Sequence, residues 1–255
     1  MTMTLHIPDA SPRQPLRLRR AWRSLRALLT DSDDTAKAID FTYAIGQRDF
    51  EQSFQRFAAT ADGRRLLESR PSLADALSDR AALGRMPDES LGRAYLAYLD
   101  RNGFSPTGLL AIERSVRERW EREEGLPAPD PLRAWFRDRF MLVHDLFHVV
   151  TDYGTDDVGE ATMLVFTLAQ TGGRANALLT AGAIVQVWRS LGVRWLGYVV
   201  QAWRRGRRAA LMALPWEELL PLPLDTVRRM GRVEPSARAH PGGIWRAKLG
   251  IPAEA

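Results

Sequence analysis

The sequence predicts an all-α fold, a single compact helical domain with a basic amphipathic helix near its N-terminus. Three observations predict it. Apolar residues recur at spacings of three and four along nearly the whole chain, the helical period. Helix starts and stops punctuate these stretches, with Asp or Asp-Pro before them and Gly after them. No alternating strand pattern and no internal repeat of 20 to 50 residues interrupts them. At 255 residues, 45% hydrophobic and 26% charged, the chain is long enough to bury a sizeable core.

In order, Leu18, Trp22, Leu25 and Leu29 fall on one arc of a helix over 16–29 while Arg17, Arg19, Arg20, Arg23 and Arg26 occupy the rest. Asp33 and Asp34 open a second helix with an acidic first turn. Asp62-Gly63 reads as a turn. Pro87-Asp88 starts a segment carrying Leu91, Tyr95, Tyr98 and Leu99, which Gly103 stops. Asp130 is an N-cap with Pro131 at the first helical position, and Trp135, Phe136, Phe140, Val143, Phe147 and Val150 keep one face apolar as far as Gly154. Asp156 or Asp157 caps the next helix, which ends near Gly172-Gly173. One long apolar helix is expected across 175–205, and Pro and Gly thicken from Pro215 onward.

Composition excludes several classes. With no cysteine there is no disulfide, no thiolate metal site and no cysteine nucleophile, so any metal must be held by His, Asp or Glu. The net charge of +5 resembles a nucleic-acid signature, but 34 of the 36 cations are Arg, a skew of the kind genome composition produces. Residues 1–30 hold six Arg against Asp9, so the arm carries a local excess equal to that of the whole chain. No uncharged stretch reaches the length that crosses a bilayer, because Arg174, Arg189 and Arg194 interrupt the most apolar region. The start shows no secretory signal, although an Arg-rich, acid-poor arm also describes an organellar presequence.

Chemistry concentrates at one place. Two of the four histidines are His144 and His148, four apart on one helix face, so their imidazoles lie one turn apart and can reach a single ion. Asp145 sits about 100° round from His144 and is a ligand or a partner that orients an imidazole. Glu160 lies across a turn in the first turn of the next helix, a return that can bring its carboxylate back to the pair. Two His with one or two carboxylates is a common set for a catalytic divalent ion with an open position. The same His pair, with Asp145 and Glu160 beside it, fits a structural role equally well, its rings reaching to the surface or bonded to backbone carbonyls. A zincin needs Glu at the position of Asp145, and a His-Asp phosphohydrolase needs an upstream His where only His6 exists. Asp156-Asp157 is better explained as a helix cap than as a prenyl-diphosphate cluster, and His240 reads as a solvated loop residue.

His144-Asp145-x-x-His148 followed by eleven residues and Glu160 resembles the signature of the Coq-four family of ubiquinone (coenzyme Q) biosynthesis proteins. Further stretches fall in that family's order: Asp31-Ser32-Asp33-Asp34-Thr35, Asp62-Gly63 with Arg70-Pro71-Ser72-Leu73, and Leu91-Gly92-Arg93-Ala94-Tyr95 with Gly103-Phe104-Ser105-Pro106. Pro215-Trp216-Glu217-Glu218-Leu219, Pro223-Leu224 and Arg228-Arg229 complete the set. The resemblance covers about residues 21–235, leaving 1–20 as a basic arm and 236–255 as an irregular tail. Because it begins within the amphipathic helix, it argues against a cleaved presequence.

The resemblance implies a protein, homodimeric and peripheral, that holds a prenylated hydroxybenzoate-type precursor near a divalent metal, with His144, Asp145, His148 and Glu160 as ligands. Zinc is the expected ion, with magnesium or iron as alternatives. The implied location is the cytoplasmic face of the inner membrane in a bacterium, or the matrix face in a mitochondrion, among other ubiquinone-biosynthesis proteins. Two roles stay open: a catalyst of oxidative decarboxylation at ring C1, or a scaffold that presents lipid intermediates to other enzymes. The helix over 175–205, through Leu178, Leu179, Ile184, Val185, Val187, Leu191, Leu196, Val199 and Val200, is a wall for the prenyl tail, or plain core or dimer interface. A nucleic-acid role for the arm and for Arg204, Arg205, Arg207 and Arg208 is the rival from another class. No nucleic-acid module accompanies these residues, and anionic lipid headgroups suit the same charges better.

Overall fold

The computed structural model describes residues 7–8, 10, 14–28, 30 and 34–249. His6, Asp9, Leu29 and Asp31-Ser32-Asp33 lie outside the described residues. Helices account for the regular structure throughout, and the β-type pairing among the described residues is one isolated bridge between Ser90 and Pro223.

Helix α1 (Leu18–Leu28) packs on α2 (Thr35–Ile45), whose N-cap Asp34 accepts from the Lys37 N–H. Helix α1, the described part of the basic segment that is helical, is therefore bound into the domain. Ala21 and Ser24 are buried, the Arg17 N–H donates to the Ala44 carbonyl at 3.0 Å, and Arg20 forms an ion pair with Asp40 at 2.8 Å. Arg17 also pairs with Glu124, far along the chain, so two of the cations of the basic segment serve the fold.

Next come α3 (Gln47–Ala58), α4 (Ala61–Ser69), α5 (Leu73–Ser78) and α6 (Arg80–Arg85). Asp62-Gly63, expected as a turn, lies in the first turn of α4. There Thr60 Oγ1 accepts from the Gly63 N–H at 2.9 Å. A Cβ on Gly63 would sit 1.9 Å from the Phe57 carbonyl oxygen, so glycine allows the tight α3–α4 corner rather than ending a helix. Helix α7 (Leu91–Asn102) is capped by Ser90, three residues after Pro87, and stops at Gly103 with φ +66. Helix α8 (Pro106–Glu124) follows.

The central element is α9 (Pro131–Thr151), opened by Asp130 and Pro131 as its sequence predicts. Leu142, Val143, Leu146, Phe147, Val149 and Val150 are all buried in the main core, together with Tyr95 and Leu99 of α7 and Met163 and Phe166 of α10 (Asp157–Thr171). Two short helices, α13 (Trp216–Leu219) and α14 (Leu224–Met230), close this core, placing Trp216 and Val227 in it.

The expected single helix over 175–205 is two helices, α11 (Arg174–Leu191) and α12 (Arg194–Arg208). Gly192 separates them at φ 53, ψ −138, a backbone state that only glycine adopts readily. Trp195 and Val187 pack with Val158 and Ala161, while Gly206 lies against Phe166 and Ala169. The pair is thus an antiparallel hairpin laid along α10, with its turn at the end of α10 that carries Glu160. Its apolar residues are divided: Val187 is buried, Ile184, Leu191 and Val199 pack against core, and Leu178, Val185, Leu196 and Val200 are exposed. They form no continuous wall.

The tail, expected to be irregular, contains the short helix α15 (Ile244–Leu249). Ile244 is buried beside Trp195, and the Trp245 N–H donates to Asp156 Oδ2 at 2.8 Å. Its fixing point is the residue that also caps α10.

Candidate metal centre

Helix α9 presents His144 and His148 one turn apart, their ring centroids separated by 4.8 Å. The chain then leaves the helix through Asp152 in the left-handed conformation at φ 61, and Asp156 caps α10 by accepting from the Gly159 N–H at 2.8 Å. This short return sets Glu160 against the histidines. Its Oε1 lies 3.2 Å from His148 Nε2, its Oε2 lies 3.5 Å from His144 Nε2, and the two Nε2 atoms approach to 3.1 Å. Ligands 2.0–2.2 Å from a tetrahedral ion sit roughly 3.3–3.5 Å apart, close to the spacing of these four atoms, so the two rings and the carboxylate form a tripod of residues of suitable dimensions. Two imidazoles and a carboxylate favour zinc or iron over magnesium, which prefers oxygen donors.

The structure brings together three of the four residues expected from the sequence. His144, His148 and Glu160 each offer a ligand atom, all within 4.8 Å of one another, and Asp145 stands outside that set. Asp145 is buried, accepts no hydrogen bond from a described residue, and is pushed above the usual carboxylate range by burial. It faces the buried Tyr95 and Tyr98, whose hydroxyls are raised by burial first and by the Asp145 charge second.

Several groups that orient the tripod come from outside the motif. His148 Nδ1 donates to the Tyr153 carbonyl at 3.0 Å, which leaves Nε2 as the free ligand atom and fixes the ring. Tyr98 stacks on the same ring at 5.9 Å between centroids, 20° from parallel. Burial works against a charged His148, but the adjacent Glu160 outweighs it and lifts the imidazole to about 9. Burial likewise opposes the Glu160 charge, yet His148 and His144 hold it well below the usual carboxylate range.

Two arginines secure the end of α9. Arg205 of α12, 4% exposed, donates twice to the Thr151 carbonyl at 3.2 Å and once to the Glu234 carbonyl at 2.9 Å. Arg228 of α14 donates to the Val150 carbonyl at 3.0 Å and pairs with Asp152 at 2.7 Å. Helix C-terminal carbonyls lack intrahelical donors, so these cations satisfy them and oppose the negative end of the helix dipole. Arg205 is therefore structural and leaves the basic cluster expected to contact phosphates. His240, expected as a solvated residue, is half-buried against Tyr198, with Nε2 3.1 Å from its hydroxyl. The sequence gives one signal for this support, the glycines at 154 and 159. A Cβ at Gly159 would meet the Gly154 carbonyl oxygen at 2.0 Å, and one at Gly154 would meet Gly243 at 2.7 Å.

Fold and site together define a class: an all-helical protein with a two-His, one-carboxylate tripod between a central helix and the first turn of the next. The family model described as Coenzyme Q (ubiquinone) biosynthesis protein Coq4 matches residues 21–237. The chain belongs to the Coq4 family. It is 28% identical over 185 residues to the mitochondrial ubiquinone biosynthesis protein coq4 of Pyrenophora tritici-repentis, covering 71% of this chain and 58% of the relative. It is 29% identical over 177 residues to the mitochondrial COQ4 homolog of Mus musculus, covering 68% and 61%. The matched region thus spans about three-fifths of these relatives. The fold is similar to the crystal structure of a candidate ubiquinone biosynthesis protein from Nostoc punctiforme PCC 73102. That match has a TM-score of 0.59 and 18% identity, and covers 86% of this chain and all of the other.

Proposed function

We propose that this protein acts in ubiquinone biosynthesis by holding a prenylated hydroxybenzoate-type precursor at a divalent ion bound by His144, His148 and Glu160, at a membrane surface. The observation that carries the reading is the tripod itself, since three protein ligands leave positions open and the His144 and Glu160 side chains are each 40% exposed. Zinc is the favoured ion, with iron the alternative. A bound ion would supply Lewis-acid polarisation of a phenolate or carboxylate oxygen.

The chain's own residues do the rest. The Tyr153 carbonyl commits the proton of His148 to Nδ1, and Tyr98 holds that ring from the side. Glu160 keeps its charge beside both imidazoles. Asp145, one residue from the tripod, acts on its basicity through the local field. The reaction we assign is oxidative decarboxylation at C1, in which the ring–carboxylate bond breaks to release carbon dioxide, one oxygen atom of dioxygen forms the new C1 hydroxyl, and an external two-electron donor reduces the second oxygen atom to water; the alternative is presentation of the lipid to other enzymes of the route.

The test is restoration of ubiquinone in cells lacking the protein. A folded Glu160→Ala chain should fail to restore it. Accumulation of a prenylated ring still bearing its C1 carboxylate supports catalysis, whereas several intermediates without that block support presentation. Normal ubiquinone with Glu160→Ala at normal protein level would reject the reading.

A further inference from the structure

From residue 161 to residue 216 the chain has no acidic residue, although 31 Asp and Glu over 255 residues predict about seven in a stretch of that length. The same stretch contains seven Arg and forms most of α10 and the whole α11–α12 hairpin. On α11, Leu178, Ala181, Val185 and Trp188 follow the spacing i, i+3, i+7, i+10, and all four are exposed. Val193, which precedes the first residue of α12, and Leu196, Val200 and Trp203 on it repeat that spacing, again all exposed. Val193 is 74% exposed, and the tryptophans Trp188 and Trp203 are 41% and 45% exposed. A surface helix ordinarily turns its polar side outward. These two antiparallel helices instead turn an apolar stripe to solvent, after burying Val187, Trp195 and Ala202 on the inner side.

Cations frame the stripe. Arg189 and Arg194 flank the hairpin turn and Arg204 and Arg207 the far end of α12, all exposed and without a carboxylate partner among the described residues. Helix α1 extends the face: a Cβ at Gly182 would lie 3.8 Å from Leu25, and the neighbouring Trp22 is exposed beside Arg23 and Arg26, which are exposed and have no carboxylate partner among the described residues.

We infer that the outer face of the α11–α12 hairpin, with α1 at its side, is the surface by which this protein docks flat on an anionic lipid bilayer. Apolar side chains with tryptophan enter the headgroup boundary while Arg meets lipid phosphate, the pattern of interfacial helices. No described helix is long and apolar enough to cross a membrane, so the contact is parallel to it. The charges argue against a second copy of the chain: a twofold interface sets a patch against itself, and here that brings Arg against Arg with no acid to compensate. They also argue against nucleic acid, because the centre of the face is apolar. The inference rests on the proposed lipid substrate only for its purpose; its grounds are the stripe and the missing acids.

The test is co-sedimentation of the full metal-loaded chain with vesicles of phosphatidylcholine alone and of phosphatidylcholine with phosphatidylglycerol. The wild type should bind the anionic vesicles, less so as salt rises. Trp188→Glu/Trp203→Glu should lower the bound fraction about tenfold or more, and Arg204→Glu/Arg207→Glu should remove the phosphatidylglycerol-dependent part. All four side chains are exposed, so helical circular dichroism and metal content should not change. Trp22→Glu should cost less than the hairpin pair. Unchanged binding by Trp188→Glu/Trp203→Glu would overturn the inference. So would a change of that variant from dimer to monomer with vesicle binding intact, which would make the face a copy-to-copy interface. Either result with normal metal content would leave the proposed metal site standing.

Discussion

His148 commits its Nδ1 proton to the Tyr153 carbonyl, so Nε2 alone is available to a metal, and in the metal-free chain that atom faces Glu160 at 3.2 Å. The pair sets a pH dependence of definite sign. His148, raised from 6.5 to about 9, stabilises the metal-free fold fully below 6.5 and loses that contribution as pH rises through 9. Glu160, depressed from 4.5, contributes above 4.5 and loses that contribution on acidification. Both contributions are therefore present together between these two ordinary values. A metal requires neutral imidazole, so metal affinity should rise with pH and level off only near 9, which competitive chelator titration across pH can read. Asp145→Asn, which removes a charge that acts on the rings through the local field without a hydrogen bond to them, should weaken the metal by roughly tenfold at most without abolishing it; complete loss would make Asp145 a ligand. The histidines and Glu160 were legible because side-chain spacing on helices is regular. The Tyr153 carbonyl was not, because a main-chain acceptor has no residue type to announce it.

At the scale of elements, the end of α9 depends on partners remote in sequence. Arg205→Met keeps an apolar stem but strips the Thr151 and Glu234 carbonyls of their donor, and should cost about 2–3 kcal/mol. Denaturant midpoints of the metal-free chain would measure it, and a cost near zero would show that water replaces the guanidinium. Gly159→Ala places a methyl 2.0 Å from the Gly154 oxygen in the turn that delivers Glu160, so about 1–3 kcal/mol and a weaker metal should be lost together. Helix starts were legible at Asp130 and, as one of two candidates, at Asp156 because capping is local chemistry, whereas the start of α7 was read at Pro87-Asp88, ahead of its actual cap Ser90. The boundary at Gly192 was missed because periodic apolar residues continue through it, and Asp62-Gly63 was misread because a turn dipeptide also suits a tight helix start.

At the scale of the molecule, the N-terminal helix is part of the domain as well as part of its proposed docking face. Asp40 is buried and accepts from Arg20, from Ser24 at 2.5 Å and from Trp120 at 2.9 Å; burial opposes its charge, but these partners hold it below its ordinary range. Removal of residues 1–30 should therefore cost about 3–5 kcal/mol, the range for breaking a buried pair, and thermal unfolding would register it. The sequence shows the arm as an isolated basic segment because the partner, Asp40, lies beyond the next helix start and carries no mark of burial.

His144, His148 and Glu160 stand or fall together as the proposed holders of a divalent ion. Elemental analysis of the purified chain after exchange against a weak chelator tests that assignment most directly, with wild type and His148→Ala side by side. Near one equivalent of zinc or iron per wild-type chain is expected, and little in the variant. Equal metal content in the two would contradict the assignment and return both histidines to a structural role.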